Sequence, residues 1–161
     1  MTRGGPMGFG EAVATCFRRY ATVRGRARRS EFWWFQLFGS LVWMAAAVTF
    51  ALLWLAAFAG EARPSEDPAI NPDAVAWAPL TAAFGVLLIS VLAVGVPTLA
   101  VTGRRLHDVG MSAWWLLLLV PGLGIVLLAI SVVAGQPGAN RFGPDPRIVP
   151  GASRDNAAVS R

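Results

Sequence analysis

The chain has 161 residues, of which 55% are apolar types and only 14% are charged. An average soluble domain carries about 25% charged residues, so this composition excludes an ordinary soluble globular protein. The formal net charge is +5, with 14 arginines and no lysine, and the single cysteine, Cys16, excludes an internal disulfide. The arginines flank apolar runs, which favours anionic lipid headgroups as partners and not nucleic acid.

The chain is predicted to begin with a disordered segment, residues 1–8, in which glycine is frequent. A helical stripe of apolar side chains follows between residues 9 and 22, with polar residues on the opposite face. This pattern predicts an amphipathic helix that lies in the headgroup layer, and packing against protein is the alternative. The stripe consists of Phe9, Val13, Cys16, Phe17 and Tyr20.

Three uncharged runs predict an all-α membrane protein with three transmembrane helices, at about residues 32–59, 74–102 and 112–134. The first run is too long for the apolar region of a cleaved signal peptide, so we expect a retained membrane anchor. Tryptophans near the ends of the first and third runs predict interfacial aromatic belts. These are Trp33, Trp34, Trp114 and Trp115.

The third run is interrupted at its centre by Pro121 and Gly122. This run is too short for two spans of about 20 residues each, so we favour a single crossing that is kinked at this point. A re-entrant turn is the alternative. Ser30 and Ser112 are predicted to cap the first and third helices.

Positive charge predicts the orientation, because cytoplasmic loops carry an excess of arginine. The N-terminal segment and residues 103–110 are basic and are placed in the cytoplasm, whereas the acidic loop 60–73 faces outward. Three crossings then put the tail outside. Four arginines in that tail favour the re-entrant alternative, which would return it to the cytoplasm; they are Arg141, Arg147, Arg154 and Arg161.

Two basic elements, residues 26–33 and 104–108, adjoin spans on the same predicted face of the membrane. One interpretation is that they only anchor the spans at the headgroups. The other is that they form one site, in which arginines hold a phosphate or each other's acids. The candidate interaction face consists of Arg26, Arg28, Arg29, Glu31, Arg104, Arg105, His107 and Asp108.

These elements, in this order, resemble the DUF805 family of small bacterial inner-membrane proteins, whose biochemical role is not established. The resemblance covers roughly residues 9–147, and residues 148–161 are predicted to be a disordered tail. It implies a multi-pass protein of the inner (plasma) membrane, and it supplies no reaction. Its parts are residues 20–21, 25–33, 104–108, 112–115, 121 and 138–146.

The tail part of this resemblance includes Asn140, Arg141 and Gly143. One interpretation is a tight cap that closes the third helix, with asparagine and glycine in unusual backbone conformations. The other is that Arg141 joins the remaining arginines, which requires the tail to lie on the cytoplasmic side.

The leading hypothesis is a non-enzymatic protein that binds anionic lipid or a membrane partner through the candidate interaction face. The alternatives are an oligomeric small-solute transporter or channel and, more weakly, a lipid-modifying enzyme that uses His107 and Asp108. No catalytic residue, metal or cofactor is assigned, since one histidine and one cysteine far apart do not make a metal site. The ligand, the partner and the oligomeric state are not readable from the sequence.

Overall fold

The computed structural model describes residues 5, 7–59 and 76–148, and these residues are mainly helical. The predicted loop 60–73 and the tail beyond residue 148 lie outside the described residues, as does most of the predicted disordered start. The α-helices are α1 (Phe9–Arg18), α2 (Arg29–Ala57), α3 (Trp77–Ser90), α4 (Val96–Asp108) and α5 (Gly124–Val132). A π-helical turn, Val91–Gly95, joins α3 to α4, and a 3₁₀ helix, Ala113–Leu119, precedes α5.

Two helical segments are long and apolar enough to cross a membrane: Arg29–Ala57, with 29 residues, and Trp77–Asp108, with 32. Most of their apolar side chains are exposed, as lipid-facing helices require. Hydroxyl groups within them hydrogen-bond to their own helix, since lipid offers no water; Thr49, for example, donates to the Ala45 carbonyl at 2.9 Å. These features agree with the first two predicted spans.

The chain forms two compact units, of which one lies within Gly39–Gly95. It contains the second part of α2, α3 and the π-helical turn. Phe84 of α3 contacts Phe50 and Trp54 of α2 edge-on, with ring centroids 6.0 and 6.5 Å apart. The small residues Ala46 and Ala83 are buried, which lets the two helices approach closely.

The other unit lies within Met1–Phe38 and Val96–Arg161 and contains all the predicted interaction residues. Here α1 packs on the first turns of α2. Phe9 contacts Trp34 and Phe17 contacts Phe35, with ring centroids 5.7 and 5.8 Å apart. These contacts agree with packing against protein, and the position of α1 in the headgroup layer stays a prediction.

The prediction of a polar loop at residues 103–110 is wrong for most of these residues, because α4 continues to Asp108. Arg104 and Arg105 are 0% exposed and are paired with acids, so the helix accommodates them within its packed end. The π-helical turn ends two residues before Pro97, whose missing N–H leaves the preceding turn without one of its hydrogen bonds.

The predicted third span is not a single helix. The 3₁₀ helix ends in a turn at residues 120–123, where Gly122 takes a φ of 80°, and the nine-residue α5 follows. Nine residues reach about 14 Å, less than half the hydrocarbon core of about 30 Å. The two ends of the segment lie side by side, since the Gln136 N–H donates to the Asp108 carbonyl at 2.8 Å. Pro121 and Gly122 therefore mark a reversal and not a kink.

The two predicted serine caps differ in outcome. Ser112 does cap the 3₁₀ helix, because its hydroxyl oxygen accepts from the backbone N–H of Trp114 at 3.4 Å. Ser30 lies inside the first turn of α2, which begins at Arg29, and its hydroxyl oxygen accepts from the Met7 N–H at 3.3 Å.

Candidate functional site

Asp108, the last residue of α4, is buried between two arginines from different parts of the chain. Arg26 donates from Nε to Oδ1 at 2.9 Å, and Arg105, one turn earlier on the same helix, pairs with Oδ2. Both arginines are buried. Because buried ions are tolerated only when charge and hydrogen bonds are matched, this carboxylate is essential to both guanidinium groups.

Backbone carbonyls from the end of α5 and the segment after it receive the other N–H groups of the two arginines. The acceptors are the carbonyls of Ser131, Val133, Gln136 and Gly138. Arg105 donates to the first two, and Arg26 donates to the last two at 2.5 Å each. The two guanidinium forks therefore hold the tail against α4.

Gly135 lies where the tail passes the carboxylate of Asp108. A Cβ atom at this position would overlap the carboxylate oxygens, so only glycine fits without movement. Gly110, which follows α4, has a φ of +88°, and a Cβ atom there would overlap the side chain of Gln136 in the tail. The two glycines permit the close contact between the tail and the end of α4.

A second buried cluster joins α1, α2 and α4. Arg104 donates to Glu31 Oε1 at 2.5 Å and to Cys16 Sγ at 3.8 Å, and the Cys16 thiol donates to Glu31 Oε1 at 3.9 Å. Burial and the neighbouring Glu31 carboxylate raise the pKa of Cys16 to about 12, so the thiol stays protonated. Arg104 Nε is buried and has no hydrogen-bond partner among the described residues.

His107 belongs to neither cluster. Its Nδ1 lies 3.1 Å from the Gly25 carbonyl, which can only accept, so the proton is assigned to Nδ1. Its ring stacks on Phe142 with centroids 4.0 Å apart, and the Arg141 guanidinium lies over the Phe142 ring at 4.6 Å. The Asn140 amide donates to the His107 carbonyl at 2.9 Å. The tail motif therefore packs on His107.

This tail motif is a tight turn and not a cap of the third helix, as one interpretation had it. Asn140 and Gly143 exchange backbone hydrogen bonds of 3.0 Å, and the Asn140 side chain accepts from the Phe142 N–H. Gly143 has a φ of 140°, in the region that favours glycine. Arg141 does not join the other arginines; it donates to the Gly110 carbonyl at 3.3 Å.

A cavity of about 290 Å³ opens at the first turn of α2, and we call it the basic pocket. Arg28 lies in its wall and donates to the carbonyls of Pro146 at 2.5 Å and Gly5 at 3.0 Å. Arg29 is exposed, and no carboxylate of the described residues lies within ion-pair distance of it. The pocket is lined by Gly5, Arg28, Arg29, Ser30, Asp108, Gly135, Pro146 and Arg147.

Arg147 brings a third cation to the basic pocket from the tail. Its Nε lies 2.8 Å from Asp145 Oδ1, and one terminal nitrogen donates to the Gln136 carbonyl at 2.9 Å. The hydrogen bonds from Arg147 hold the pKa of Asp145 well below its usual range, and Asp145 in turn raises the pKa of Arg147. The Arg147 side chain remains 35% exposed, so part of its charge faces the pocket.

The predicted interaction face is thus divided by the structure. Arg26, Arg105 and Asp108 form one buried cluster, and Glu31 with Arg104 forms the other. Arg28 and Arg29 line the open basic pocket together with Asp108, whereas His107 lines a different cavity with Ser112 and Trp114. The separation of His107 from the basic pocket disfavours joint catalysis with Asp108.

The four predicted belt tryptophans are all exposed. Trp33 and Trp34 lie in the first turns of α2, and Trp114 and Trp115 lie on the 3₁₀ helix, where Trp114 is 77% exposed. Exposed indole rings near the ends of apolar segments are typical of a membrane interface. Their position in a bilayer stays a prediction.

Sequence reasoning missed Ser30 and Arg147 as pocket residues and Cys16 as a member of the Glu31 cluster. The position of Arg147 could have been predicted from its spacing. It follows Asp145 by two residues, and at this spacing an arginine can bind the carboxylate of a turn. The sequence gives no sign that Gly135 matters. Glycine is needed there because the backbone approaches Asp108, which is distant in sequence. Within the part of the chain that the structure describes, no group of three or more His, Cys, Asp or Glu residues could hold a metal ion.

Comparison with known proteins gives a family and no reaction. The family model "Protein of unknown function (DUF805)" matches residues 20–144. Inner membrane protein YhaH of Escherichia coli (strain K12) is 37% identical over 135 residues, which cover 83% of this chain and 93% of that protein. Inner membrane protein YhaI of the same strain is 33% identical over 132 residues, covering 81% and 90%.

No solved structure matches the chain. The family match begins after α1 and ends after the tail turn. It includes the Asp108 cluster, the Glu31–Arg104 pair and the four belt tryptophans, whereas Cys16 lies before it. The apolar helices and the names of the relatives agree on a membrane location. The chain therefore belongs to the DUF805 family, and it is a membrane protein.

Proposed function

We propose that this protein crosses the inner membrane twice and that its third apolar segment is a re-entrant hairpin. α2 forms one crossing, and the continuous segment Trp77–Asp108 forms the other. The hairpin enters beside Asp108 and returns beside the same residue, as the Gln136–Asp108 hydrogen bond supports. Its turn pairs backbone groups internally, as a bilayer requires, since the Gly122 N–H donates to the Leu119 carbonyl at 3.1 Å and the Leu123 N–H to the Leu118 carbonyl at 2.9 Å. The apolar Val120 side chain at this turn is 84% exposed.

With two crossings, the N-terminal segment, the end of α4 and the tail lie on one side of the membrane. Positive charge places that side in the cytoplasm. This topology also accommodates the tail arginines, which three crossings would put outside. α1, with its exposed Phe9 and Phe17, then lies along the cytoplasmic headgroup layer.

A pair of reporters tests this topology. A fluorescent protein fused after Arg161 should fluoresce and alkaline phosphatase at the same site should be inactive, because the tail is cytoplasmic. The same reporters inserted in the 60–73 loop should give the opposite result and serve as the control. Active phosphatase after Arg161 would support three crossings and contradict the hairpin.

We propose further that the function of the protein is to bind the phosphate group of an anionic phospholipid in the basic pocket. The observation that supports this most directly is the convergence of Arg28, Arg29 and Arg147 on one open cavity. Arginine forks bind phosphate oxygens through charge-assisted hydrogen bonds. The buried clusters around Asp108 and Glu31 serve this function indirectly, by holding the tail and α4 against the first turn of α2.

Lipid binding is tested by replacing Arg29 with glutamine. Arg29 is exposed and outside the buried clusters, so the variant is expected to fold normally. Its affinity for short-chain phosphatidylglycerol should fall about five- to tenfold, as expected for the loss of one charge-assisted hydrogen bond. The measurement is native mass spectrometry of the detergent-solubilised protein, with phosphatidylcholine of the same chain length as the neutral reference.

Arg24→Gln is the matched control, because Arg24 is also an exposed arginine but does not line the basic pocket. It removes the same charge at a nearby position and should leave the affinity within about twofold of wild type. Equal losses in the two variants would indicate general attraction to a basic surface, and the proposed site would then be abandoned.

A further inference from the structure

The basic pocket carries more positive charge than the neighbouring carboxylates match. Asp108 in its wall already accepts from two buried arginines, and Asp145 beside it is bound by Arg147. The charged residues that line the pocket are Arg28, Arg29 and Arg147 against Asp108. The partners of these groups outside the lining are Arg26 and Arg105, which bind Asp108, and Asp145, which binds Arg147. A partly buried excess of this size favours a ligand with more than one negative charge.

Building on the proposed lipid function, we infer that the ligand is a phospholipid with a terminal phosphate, a phosphomonoester of the phosphatidic acid type. Such a group carries close to two negative charges at neutral pH and offers three acceptor oxygens. The phosphodiester of phosphatidylglycerol carries one charge, so it would leave more of the arginine charge in the pocket unmatched.

The donors around the pocket suit three terminal oxygens. Arg28 and Arg147 are held in place by backbone carbonyls, and both line the cavity, Arg28 from the residue before α2 and Arg147 from the tail. Arg29 contributes a third guanidinium group from the first turn of α2. The Ser30 oxygen already accepts from the Met7 N–H, so its hydroxyl hydrogen can donate into the pocket.

The path away from the phosphate favours a lipid over a soluble phosphate ester. Arg29, Trp33 and Leu37 recur every four residues, so they share one face of α2. Trp33 and Leu37 are 41% and 46% exposed. A phosphate bound at Arg29 would therefore place its glycerol and acyl chains along an open apolar face that leads into the bilayer.

The test compares phosphatidic acid with phosphatidylmethanol of the same chain length, in which a methyl group blocks one phosphate oxygen. At about pH 8 we expect the wild-type protein to bind phosphatidic acid about tenfold more tightly, through one more charge-assisted hydrogen bond. This preference should shrink at about pH 5, because the second phosphate pKa is about 6 and the dianion is lost below it. Phosphatidylmethanol reports any pH effect of the protein itself, including the groups that line the pocket, because its single charge is constant over this range.

Arg29→Gln should reduce the preference for phosphatidic acid, whereas Arg24→Gln should preserve it. Equal affinities for the two lipids at both pH values, with Arg29 still required, would overturn the phosphomonoester inference and leave the proposed lipid site intact. Loss of any preference for anionic lipid would overturn both. Competition by glycerol 3-phosphate at the affinity of the lipid would instead assign the pocket to a soluble phosphomonoester and overturn the lipid assignment.

Discussion

Replacing Asp108 with asparagine is expected to destabilise the folded protein by about 3–5 kcal/mol, the usual cost of leaving buried charges without their partner. The variant keeps the shape of the side chain but leaves Arg26 and Arg105 buried without a negative partner, and it replaces one of the two acceptor oxygens by an amide NH₂ group. A loss of this size is a large fraction of a typical folding free energy of about 5–15 kcal/mol. Thermal unfolding in detergent, followed by tryptophan fluorescence, should show a much lower melting temperature, and the amount of protein in the membrane should fall.

Arg29→Gln is a suitable control for this experiment, because it removes a charge from the exposed part of the same unit. It should melt close to wild type, since exposed charges contribute about 0–1 kcal/mol. A second arm, Asp108→Asn combined with Arg105→Met, should recover part of the loss by removing one unmatched cation. Wild-type melting of Asp108→Asn would contradict the structural role assigned to the cluster.

The second large effect is expected for Arg104→Met, again about 3–5 kcal/mol, because Glu31 would remain buried without its cation. Arg104 is 0% exposed, and its pairing with Glu31 connects α4 to α2. Methionine fills much of the same volume, so the loss reports the charge more than a cavity. The same melting measurement applies.

The double variant Arg104→Met with Glu31→Gln distinguishes charge from packing. If the unpaired Glu31 carboxylate causes the loss, neutralising it should restore most of the stability, as replacement of whole buried ion pairs often does. Cys16→Ala serves as a control for the third member of the cluster and should cost far less, because its hydrogen bonds to Arg104 and Glu31 are long. A double variant no more stable than Arg104→Met alone would contradict this account.

The sequence predicts two helical segments well, α2 and Trp77–Asp108, because a long uncharged run is typical of a helix that faces lipid. It fails at residues 103–108 for a physical reason. Charged residues at the end of an apolar run look like a loop unless their partners are known, and the partners of Arg104 and Arg105 include Glu31, which is distant in sequence, and Asp108.

The hairpin and the basic pocket were less predictable still. Pro121 and Gly122 are compatible with both a kink and a reversal. The reversal is shown by the backbone hydrogen bond from Gln136 to Asp108, two residues that are distant in sequence. Most acceptors for Arg26 and Arg105 are backbone carbonyls, which every residue possesses, so no residue type signals them. Arg26 and Asp108, one from each basic element, form an ion pair in the structure, and their part in an interaction face stays a prediction.

The arrangement of the tail carbonyls around Arg26 and Arg105 has a consequence for biosynthesis. Residues 26 and 105 leave the ribosome well before residues 131–138, which supply four of the carbonyl acceptors for their guanidinium groups. During translation both arginines therefore lack these acceptors at first, and water hydrates their guanidinium groups until the later residues have been made. In the proposed topology, the return of the hairpin supplies the carbonyl acceptors and completes the part of the basic pocket that the tail lines.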